Sequence, residues 1–129
     1  MNRDDEPQDP PMVPVPAMVK VQAIVREEAL DRIIERLLLI GIRGLTMTPV
    51  RGASRGDAHT AVFRGGSYPV HFISKVLIEW YGDTNQADAV VRAIVRAGAT
   101  GSPGDGKIIV EPVEEAVRIR TGERGLEAL

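Results

Sequence analysis

The order of strand-like and helix-like patterns constrains the fold of this chain most strongly. Residues 19–25 are apolar and β-branched with polar residues between them, which predicts a strand. Residues 30–38 carry apolar side chains at i, i+3, i+4, i+7 and i+8, which predicts one buried helix face that ends at Gly41. Residues 44–51 predict a second strand, and Pro49 is typical of an edge strand or a bulge.

The second half of the chain repeats the pattern with a longer strand. Residues 72–81 alternate cleanly between two faces, residues 86–98 have helical apolar spacing, and residues 107–110 predict a last strand. The order β-α-β-β-α-β predicts an α+β, ferredoxin-like fold with a four-stranded antiparallel sheet and two helices on one face. The other face needs cover, and oligomerisation is its simplest source.

Two segments stand apart from this pattern. Residues 1–17 hold five of the nine prolines and four acidic residues, which predicts a disordered tail before a domain of residues 18–129. Residues 52–70 contain several glycines and no sustained period. A connection of that length inside a small domain predicts either a functional loop or disorder.

Composition excludes several classes of protein. The net charge of −2 and the few aromatic residues argue against nucleic-acid binding, and the absence of cysteine excludes disulfides and thiolate metal sites. No apolar run approaches the length of a membrane span, and the acidic N-terminus is unlike a secretory signal. We therefore expect a cytoplasmic protein without direct membrane insertion.

The last third of the chain carries the chemistry. Residues 100–107 form a glycine-rich turn that ends in Lys107, and Arg118 and Arg120 stand at i and i+2. If that segment is extended, both arginines point to the same side. Glycines allow close approach of a phosphate and the three cations supply countercharge, so the pattern predicts binding of a nucleotide polyphosphate. The alternative is a plain helix cap followed by a turn.

A Walker A loop does not explain this segment. Gly101, Gly106 and Lys107 match G-x-x-x-x-G-K, but Ile108 stands where a magnesium-binding Ser or Thr belongs. The predicted context is also helix to strand, whereas a P-loop runs from strand to helix. A P-loop NTPase is therefore not predicted.

No catalytic or metal site is predicted. His59 and His71 are isolated and lack a G-x-S-x-G elbow, and two histidines without cysteine give no metal-ligand spacing. The paired glutamates at 27–28 and 114–115 are adjacent in sequence, which favours solvated charges over a catalytic pair. The prediction is a protein that is not an enzyme.

Several motifs resemble the PII signal-transduction family of nitrogen and carbon regulators, in order and at the family's spacing, between Met18 and Glu123. They are Gly41-Ile-Arg-Gly-Leu-Thr-Met-Thr48, Arg64-Gly-Gly-Ser-Tyr68, Phe72-Ile-Ser-Lys75, Thr100-Gly-Ser-Pro-Gly-Asp-Gly-Lys107 and Arg118-Ile-Arg-Thr-Gly-Glu123. The resemblance implies a homotrimer that binds ADP, ATP or AMP in clefts between subunits.

The resemblance also assigns roles to single residues. By motif position, the nucleotide-binding residues are Ile24, Thr46, Arg55, Glu79, Gly104, Asp105, Gly106, Lys107, Arg118 and Arg120. Residues 104–107 would surround the phosphates and the two arginines would close the site. Thr46 and Glu79 would lie near base and ribose, Ile24 would form an apolar wall, and Arg55 would reach the phosphates from the loop.

The segment 52–70 resembles the family's long partner-binding loop, which implies a membrane transporter or a metabolic enzyme as partner. Such a loop works as a switch when a ligand orders it in one conformation. Tyr68 stands at a position that is uridylylated in some members. The alternative is an unmodified loop tyrosine.

Departures from the family pattern concern the effector. Gly56 replaces the glutamine that holds Mg²⁺ between ATP and 2-oxoglutarate, and Arg26 is followed by two glutamates instead of proline and an aromatic residue. Lys75, which pairs with an effector carboxylate in the family, is kept. These departures are similar to PII-like proteins that respond to bicarbonate, so Arg26, Gly56 and Lys75 are predicted effector positions.

Three other functions stay open. One is a regulator that senses 2-oxoglutarate together with ATP. Another is a slow ATPase, which would need Mg²⁺. The last is a structural trimer similar to the divalent-cation-tolerance proteins, which has no need for the cluster of Lys107, Arg118 and Arg120.

Overall fold

A computed structural model describes residues 16–55, 61–63, 66–68 and 70–129. The strands and helices are β1 Met18–Arg26, α1 Leu30–Leu39, β2 Thr46–Arg55, β3 Ala61–Phe63, β4 Gly66–Tyr68, β5 Val70–Asp83, α2 Thr84–Gly98 and β6 Gly106–Val113. Short 3₁₀ helices cover Glu27–Ala29 and Gly125–Ala128. Apart from Pro16 and Ala17, the tail predicted for residues 1–17 lies outside the described residues.

Four strands form one antiparallel sheet in the order β2-β5-β1-β6. Because β1 and β2 both pair antiparallel with β5, they run parallel to each other. The helix α1 connects β1 to β2. This order with two helices on one face is the ferredoxin-like arrangement, which confirms the predicted fold. The short strands β3 and β4 pair with each other in a second sheet.

The core lies between the sheet and the helix layer. Its side chains are Val19, Val21, Ala23 and Val25 from β1, Val76, Ile78 and Trp80 from β5, Ile33 and Leu37 from α1, and Val90, Ala93, Ile94 and Ala97 from α2. Each is at most 8% exposed. Since strand side chains alternate, the remaining residues of β1 and β5 point away from the helices, to the face that we call the open face.

The helix α1 ends in a Schellman motif. The amide of Ile42 donates to the Leu37 carbonyl at 2.9 Å and the amide of Gly41 donates to the Leu38 carbonyl at 3.0 Å. Ile42 is buried below the helix end. The predicted apolar stripe is only partly buried, because Leu38 is 54% exposed and turns away from the sheet.

The helix α2 starts beside the first described residues. Its N-cap residue Asp83 accepts a hydrogen bond from the Asn85 amide at 2.8 Å. The Thr84 amide donates to the Ala17 carbonyl at 3.1 Å, and the Thr84 hydroxyl donates to the Pro16 carbonyl. The chain therefore enters β1 next to the N-terminus of α2.

The segment 52–70 contains more strand than its sequence predicts. The β2–β5 ladder continues to Arg55 opposite Val70, so residues 52–55 extend the sheet. Ladder hydrogen bonds do not need apolar periodicity, which is why the pattern missed them. Along the described parts of the chain, no helix has the length and apolar character that crossing a membrane requires.

Candidate functional site

The open face brings together four of the ten residues predicted to bind a nucleotide. In an antiparallel ladder, directly opposite residues share a face. Ile24, near the C-terminal end of β1, lies opposite Lys107 of β6 on one side and Leu77 of β5 on the other. Thr46 of β2 lies opposite Glu79 of β5, two positions along the same face. Strand register therefore places these predicted residues on one surface.

The glycine-rich turn at the end of this face is organised by Asp105. Its carboxylate accepts hydrogen bonds from the Thr100 amide at 2.7 Å, the Thr100 hydroxyl at 2.5 Å and the Gly101 amide at 3.0 Å. These donors, first of all the Thr100 hydroxyl and then its amide, lower the pKa of Asp105 well below its usual range. Asp105 therefore remains charged and closes the turn from inside.

Two cations hold the same turn from the sheet. Arg26 and Lys75 lie directly opposite each other at the end of the β1–β5 ladder. Arg26 donates to Asp105 Oδ1 at 3.1 Å and to the Pro103 carbonyl at 2.7 Å, and Lys75 donates to the Gly104 carbonyl. Like charges in opposite positions repel, and the oxygens of the turn offset that repulsion.

Lys75 is unusual among these groups because it is only 7% exposed. A buried ammonium requires acceptors or a countercharge, and the Gly104 carbonyl is the acceptor that it finds. The two predicted effector residues Arg26 and Lys75 thus stand together, and in this state both engage the turn. Gly56, the third predicted effector position, lies outside the described residues.

Gly106 allows the turn to join the sheet. Its φ is 112°, and a Cβ at this position would lie 1.8 Å from the Ile24 carbonyl oxygen. Any side chain would push β6 away from β1. This close approach sets Lys107 directly beside Ile24 and explains why the motif needs glycine before the lysine.

The arrangement predicted for Arg118 and Arg120 is wrong. They do not alternate along a strand, because Val117 bridges Arg124 and the chain between them turns back. The Arg118 amide donates to the Glu123 carbonyl at 2.9 Å, and the Gly122 amide donates to the Arg118 carbonyl at 2.7 Å. The glycine at 122, with a φ of 74°, permits this tight loop, which a strand pattern does not anticipate.

The two arginines also differ in their surroundings. Arg118 lies 3.6 Å from the Glu123 carboxylate and donates to the Leu129 carbonyl at 3.4 Å, whereas Arg120 is exposed. Among the described residues of this single chain, no hydrogen bond or ion pair joins either arginine to the turn 100–107. The predicted cluster of three cations is therefore not assembled within one subunit.

Two predicted positions are described only through their backbone. Arg55 ends β2 opposite Val70, and Tyr68 ends the short strand β4 opposite Ala61. The predicted nucleotide contact of Arg55 and the predicted modification of Tyr68 remain predictions. Across the described ranges, no group of three or more His, Asp or Glu side chains stands in a geometry that could hold a metal ion.

Sequence reasoning missed Lys20. Its ammonium lies 3.2 Å from the Glu79 carboxylate, whose hydrogen bond raises the pKa of Lys20, and 6.0 Å above the Tyr81 ring. The alternation of β1 was a sufficient signal, since Lys20 is four residues before Ile24 and shares its face. Lys20 orients Glu79 beside Thr46.

The fold and this face define a class: a ferredoxin-like protein whose open sheet face ends in a cation-held glycine turn. The family described as "Nitrogen regulatory protein P-II" matches residues 18–123. A P-II protein of Rhizobium meliloti (strain 1021) is 45% identical over 112 residues, covering 87% of this chain and 100% of the relative. One from Nostoc punctiforme is 46% identical with the same coverage.

Solved structures agree with this relationship. Arabidopsis thaliana PII bound to citrate has 37% identity and a TM-score of 0.73, covering 92% of this chain and 97% of that chain. The B. subtilis GlnK–ATP complex has 31% identity and a TM-score of 0.72, covering 88% and 98%. The chain belongs to the P-II family of nitrogen regulatory proteins. This is a family of regulators, which confirms the prediction that the chain is not an enzyme.

Proposed function

We propose that this protein is a cytoplasmic signalling regulator that binds an adenine nucleotide, ADP, ATP or AMP, between subunits of a homotrimer. The observation that carries the proposal is the open face. Ile24, Thr46, Glu79 and Lys107 share it, and the turn 100–107 ends beside Lys107. A related chain, B. subtilis GlnK, is solved as an ATP complex.

The phosphates of the nucleotide would lie against the turn. Gly104 and Gly106 have no side chain to block a phosphate, and Lys107 supplies a countercharge that no described carboxylate pairs with. Asp105 would shape the turn without touching the ligand, since Thr100, Gly101 and Arg26 already occupy its carboxylate. Its negative charge would otherwise repel a phosphate.

The trimer completes the site in this proposal. The open face exposes apolar side chains, including Ile109 at 40% and Tyr81 at 42%, and the two described α-helices pack on the opposite face. Burying such a face between copies is favourable. Arg118 and Arg120 do not reach the turn of their own chain, so they would close the cleft of a neighbouring subunit.

The effector would be a small anion such as bicarbonate, held near Arg26 and Lys75. Both side chains already donate to oxygens of the turn, and Glu27 and Glu28 add negative charge next to Arg26. A dicarboxylate would meet more repulsion there than a small monoanion does. The second candidate is 2-oxoglutarate, which the naming of the relatives as nitrogen regulatory proteins favours.

The output of the switch would pass through residues 52–70 to a membrane transporter or a metabolic enzyme. The β2–β5 ladder connects this segment directly to the ligand face, since Lys75 lies opposite Val50 and close to Gly52. A ligand that changes the contacts of Lys75 would therefore change the base of the segment.

Calorimetric titration of ADP tests the proposal, with bicarbonate or 2-oxoglutarate in parallel cells. We expect Lys107→Ala to weaken ADP binding by about 1.5–3 kcal/mol, roughly 10- to 100-fold, because it removes a charge-assisted phosphate contact. Arg92→Ala, on the helix layer, is the charge-matched control and should bind normally. Affinity that rises only with bicarbonate supports carbon sensing, and coupling to 2-oxoglutarate instead supports the second candidate.

Absence of ADP binding in the wild-type protein would overturn the proposal and favour a structural trimer. Multiple turnover of ATP with Mg²⁺, lost in Lys107→Ala, would favour the slow ATPase.

A further inference from the structure

A surface of the helix layer, away from the open face, has a chemistry that the proposed function does not use. A groove of about 500 Å³ lies between α1 and the end of α2 and is lined by Arg32, Glu35, Arg36, Leu39, Arg96, Ala97 and Ala99. The α1 residues stand at i, i+3, i+4 and i+7, so they form one continuous stripe along the helix. We call this surface the helix groove.

The charge of the helix groove is unbalanced. Three arginines face one glutamate, and none of the three lies in an ion pair within the described residues. Arg32 donates to the carbonyls of Ala97 and Glu28, which positions its guanidinium without neutralising it. The groove therefore attracts a negatively charged segment.

One end of the helix groove is apolar. Leu39, the last residue of α1, lines the groove and is 77% exposed, and its sequence neighbours Leu38 and Ile40 beside the groove are 54% and 45% exposed. They form a run of consecutive exposed apolar side chains, which is unusual on an otherwise polar helix surface. Along the stripe, the apolar end comes first and the arginines follow at Arg36 and Arg32.

The two helices run in opposite directions, as the hydrogen bond from Arg32 near the start of α1 to Ala97 near the end of α2 shows. The apolar end of α1 is therefore at the same end of the domain as the start of α2. Pro16 and Ala17 are bonded to Thr84 at that start. The N-terminal segment leaves the domain at the apolar end of the helix groove.

The sequence of this segment repeats the order of the groove. Counting away from Pro16, it first carries Val15, Val13 and Met12, and then Asp9, Glu6, Asp5 and Asp4. Residues 1–15 contain four acidic side chains and one arginine. We propose that residues 3–15 of this chain dock in the helix groove of their own subunit, apolar part on Leu38–Ile40 and acidic part on the arginines.

Chain length permits this docking. An extended proline-rich segment advances about 3.1 Å per residue, so Asp9 reaches about 22 Å from Pro16. Arg96 lies twelve positions after Thr84 in α2, a rise of about 18 Å along the helix. Asp9 thus reaches the arginine end, and Glu6, Asp5 and Asp4 have length to spare.

A spin label tests the docking in the full-length protein. The chain has no cysteine, so Gln8→Cys, next to Asp9, gives one nitroxide site per subunit within the docking segment. We expect paramagnetic loss of amide signals at residues 32–40 and 92–99 and none on the open face. At about 1 M salt, where the Debye length is about 3 Å, the loss should diminish.

Matched variants identify the contacts. Arg36→Ala with Arg96→Ala should abolish the paramagnetic loss, and Leu39→Ser should weaken it. Arg124→Ala, which removes a cation from the C-terminal segment, should leave it unchanged. Signal loss that survives the double arginine variant overturns the proposal. So does loss confined to unlabelled subunits of mixed oligomers, which would place the segment on a neighbouring copy, and so does loss on other surfaces alone.

Discussion

At the scale of the residue, Asp105 has a structural role that its place in a phosphate motif conceals. Its carboxylate accepts from Thr100 and Gly101 and pairs with Arg26, so it closes the turn on itself and ties it to β1. Among the described residues, Lys107, two positions further on, forms no ion pair. Asp105 therefore has a structural role in the turn, whereas Lys107 is the cation that we propose for phosphate binding.

The Thr100 hydroxyl is the first cause of the low pKa of Asp105. We expect Thr100→Val to raise that pKa toward the usual value of about 4. Because folding lowers this pKa, the stabilisation is complete above the unfolded-state pKa and is lost as pH falls through the folded-state pKa. Carboxyl NMR titration measures the pKa of Asp105 in the folded wild-type protein and in the folded variant. Ser102→Ala, in the same turn, should leave the pKa of Asp105 unchanged. A Thr100→Val protein with the wild-type pKa of Asp105 would contradict the assignment.

Gly82 is a second residue whose role is local. A Cβ there would lie 2.0 Å from the Trp80 ring, which is part of the core at 6% exposure. Gly82→Ala should therefore displace the ring and destabilise the protein by about 1–3 kcal/mol. Urea unfolding measures the loss. Gly44→Ala, where a Cβ meets nothing within 4 Å, is the control. Equal stability of both variants would contradict the packing account.

At the scale of the element, each segment is stabilised by its ends as well as by its buried face. The helix α2 shows this most clearly, since Asp83 caps it while the backbone of Ala17 accepts from Thr84. Asp83→Ala should lower the free energy of unfolding by about 0.5–2 kcal/mol. Asp88→Ala removes the same charge from an exposed position in α2 and should cost less. Chemical denaturation of both variants measures the difference, and an equal cost would contradict the capping role.

The sequence predicted the helices and strands that bury one face, because such burial produces a periodic pattern of apolar residues. The alternation of residues 72–81 and the apolar spacing of residues 30–38 and 86–98 gave the right elements and the ferredoxin-like order, because one face of each is buried. Leu38 fits the helical spacing yet is exposed, since the covered stripe of α1 is narrower than its apolar stripe. Residues 52–55 join the sheet through backbone pairing, which produces no periodic apolar pattern in the sequence.

The residues of the proposed site were chosen from sequence motifs, and the sequence predicted their arrangement only in part. The glycines before Lys107 predicted the turn. The register of the sheet places Ile24, Thr46 and Glu79 on one face. The loop between Val117 and Arg124 was missed. The residues of this turn, which Gly122 closes, alternate between polar and apolar as the residues of a strand also do. Lys20 was missed although its position in β1 fixed its face.

At the scale of the whole molecule, the two faces of the sheet differ in what covers them and in the residues that they carry. One is covered by the helices and forms the core of the subunit. The other carries the proposed ligand residues and exposed apolar side chains, and in the proposed trimer it would be covered by further copies of the chain. Separation of Arg118 and Arg120 from the turn of their own subunit follows from this division, because each cleft would draw cations from two chains.

Native mass spectrometry of the full-length protein with ADP tests this account most directly, because one spectrum reports both assembly and ligand. We expect a homotrimer that carries up to one ADP per subunit, and a trimer of Lys107→Ala that carries markedly less. A protein that binds ADP as a monomer, or a trimer that binds none, would contradict the claim that the nucleotide site lies between subunits.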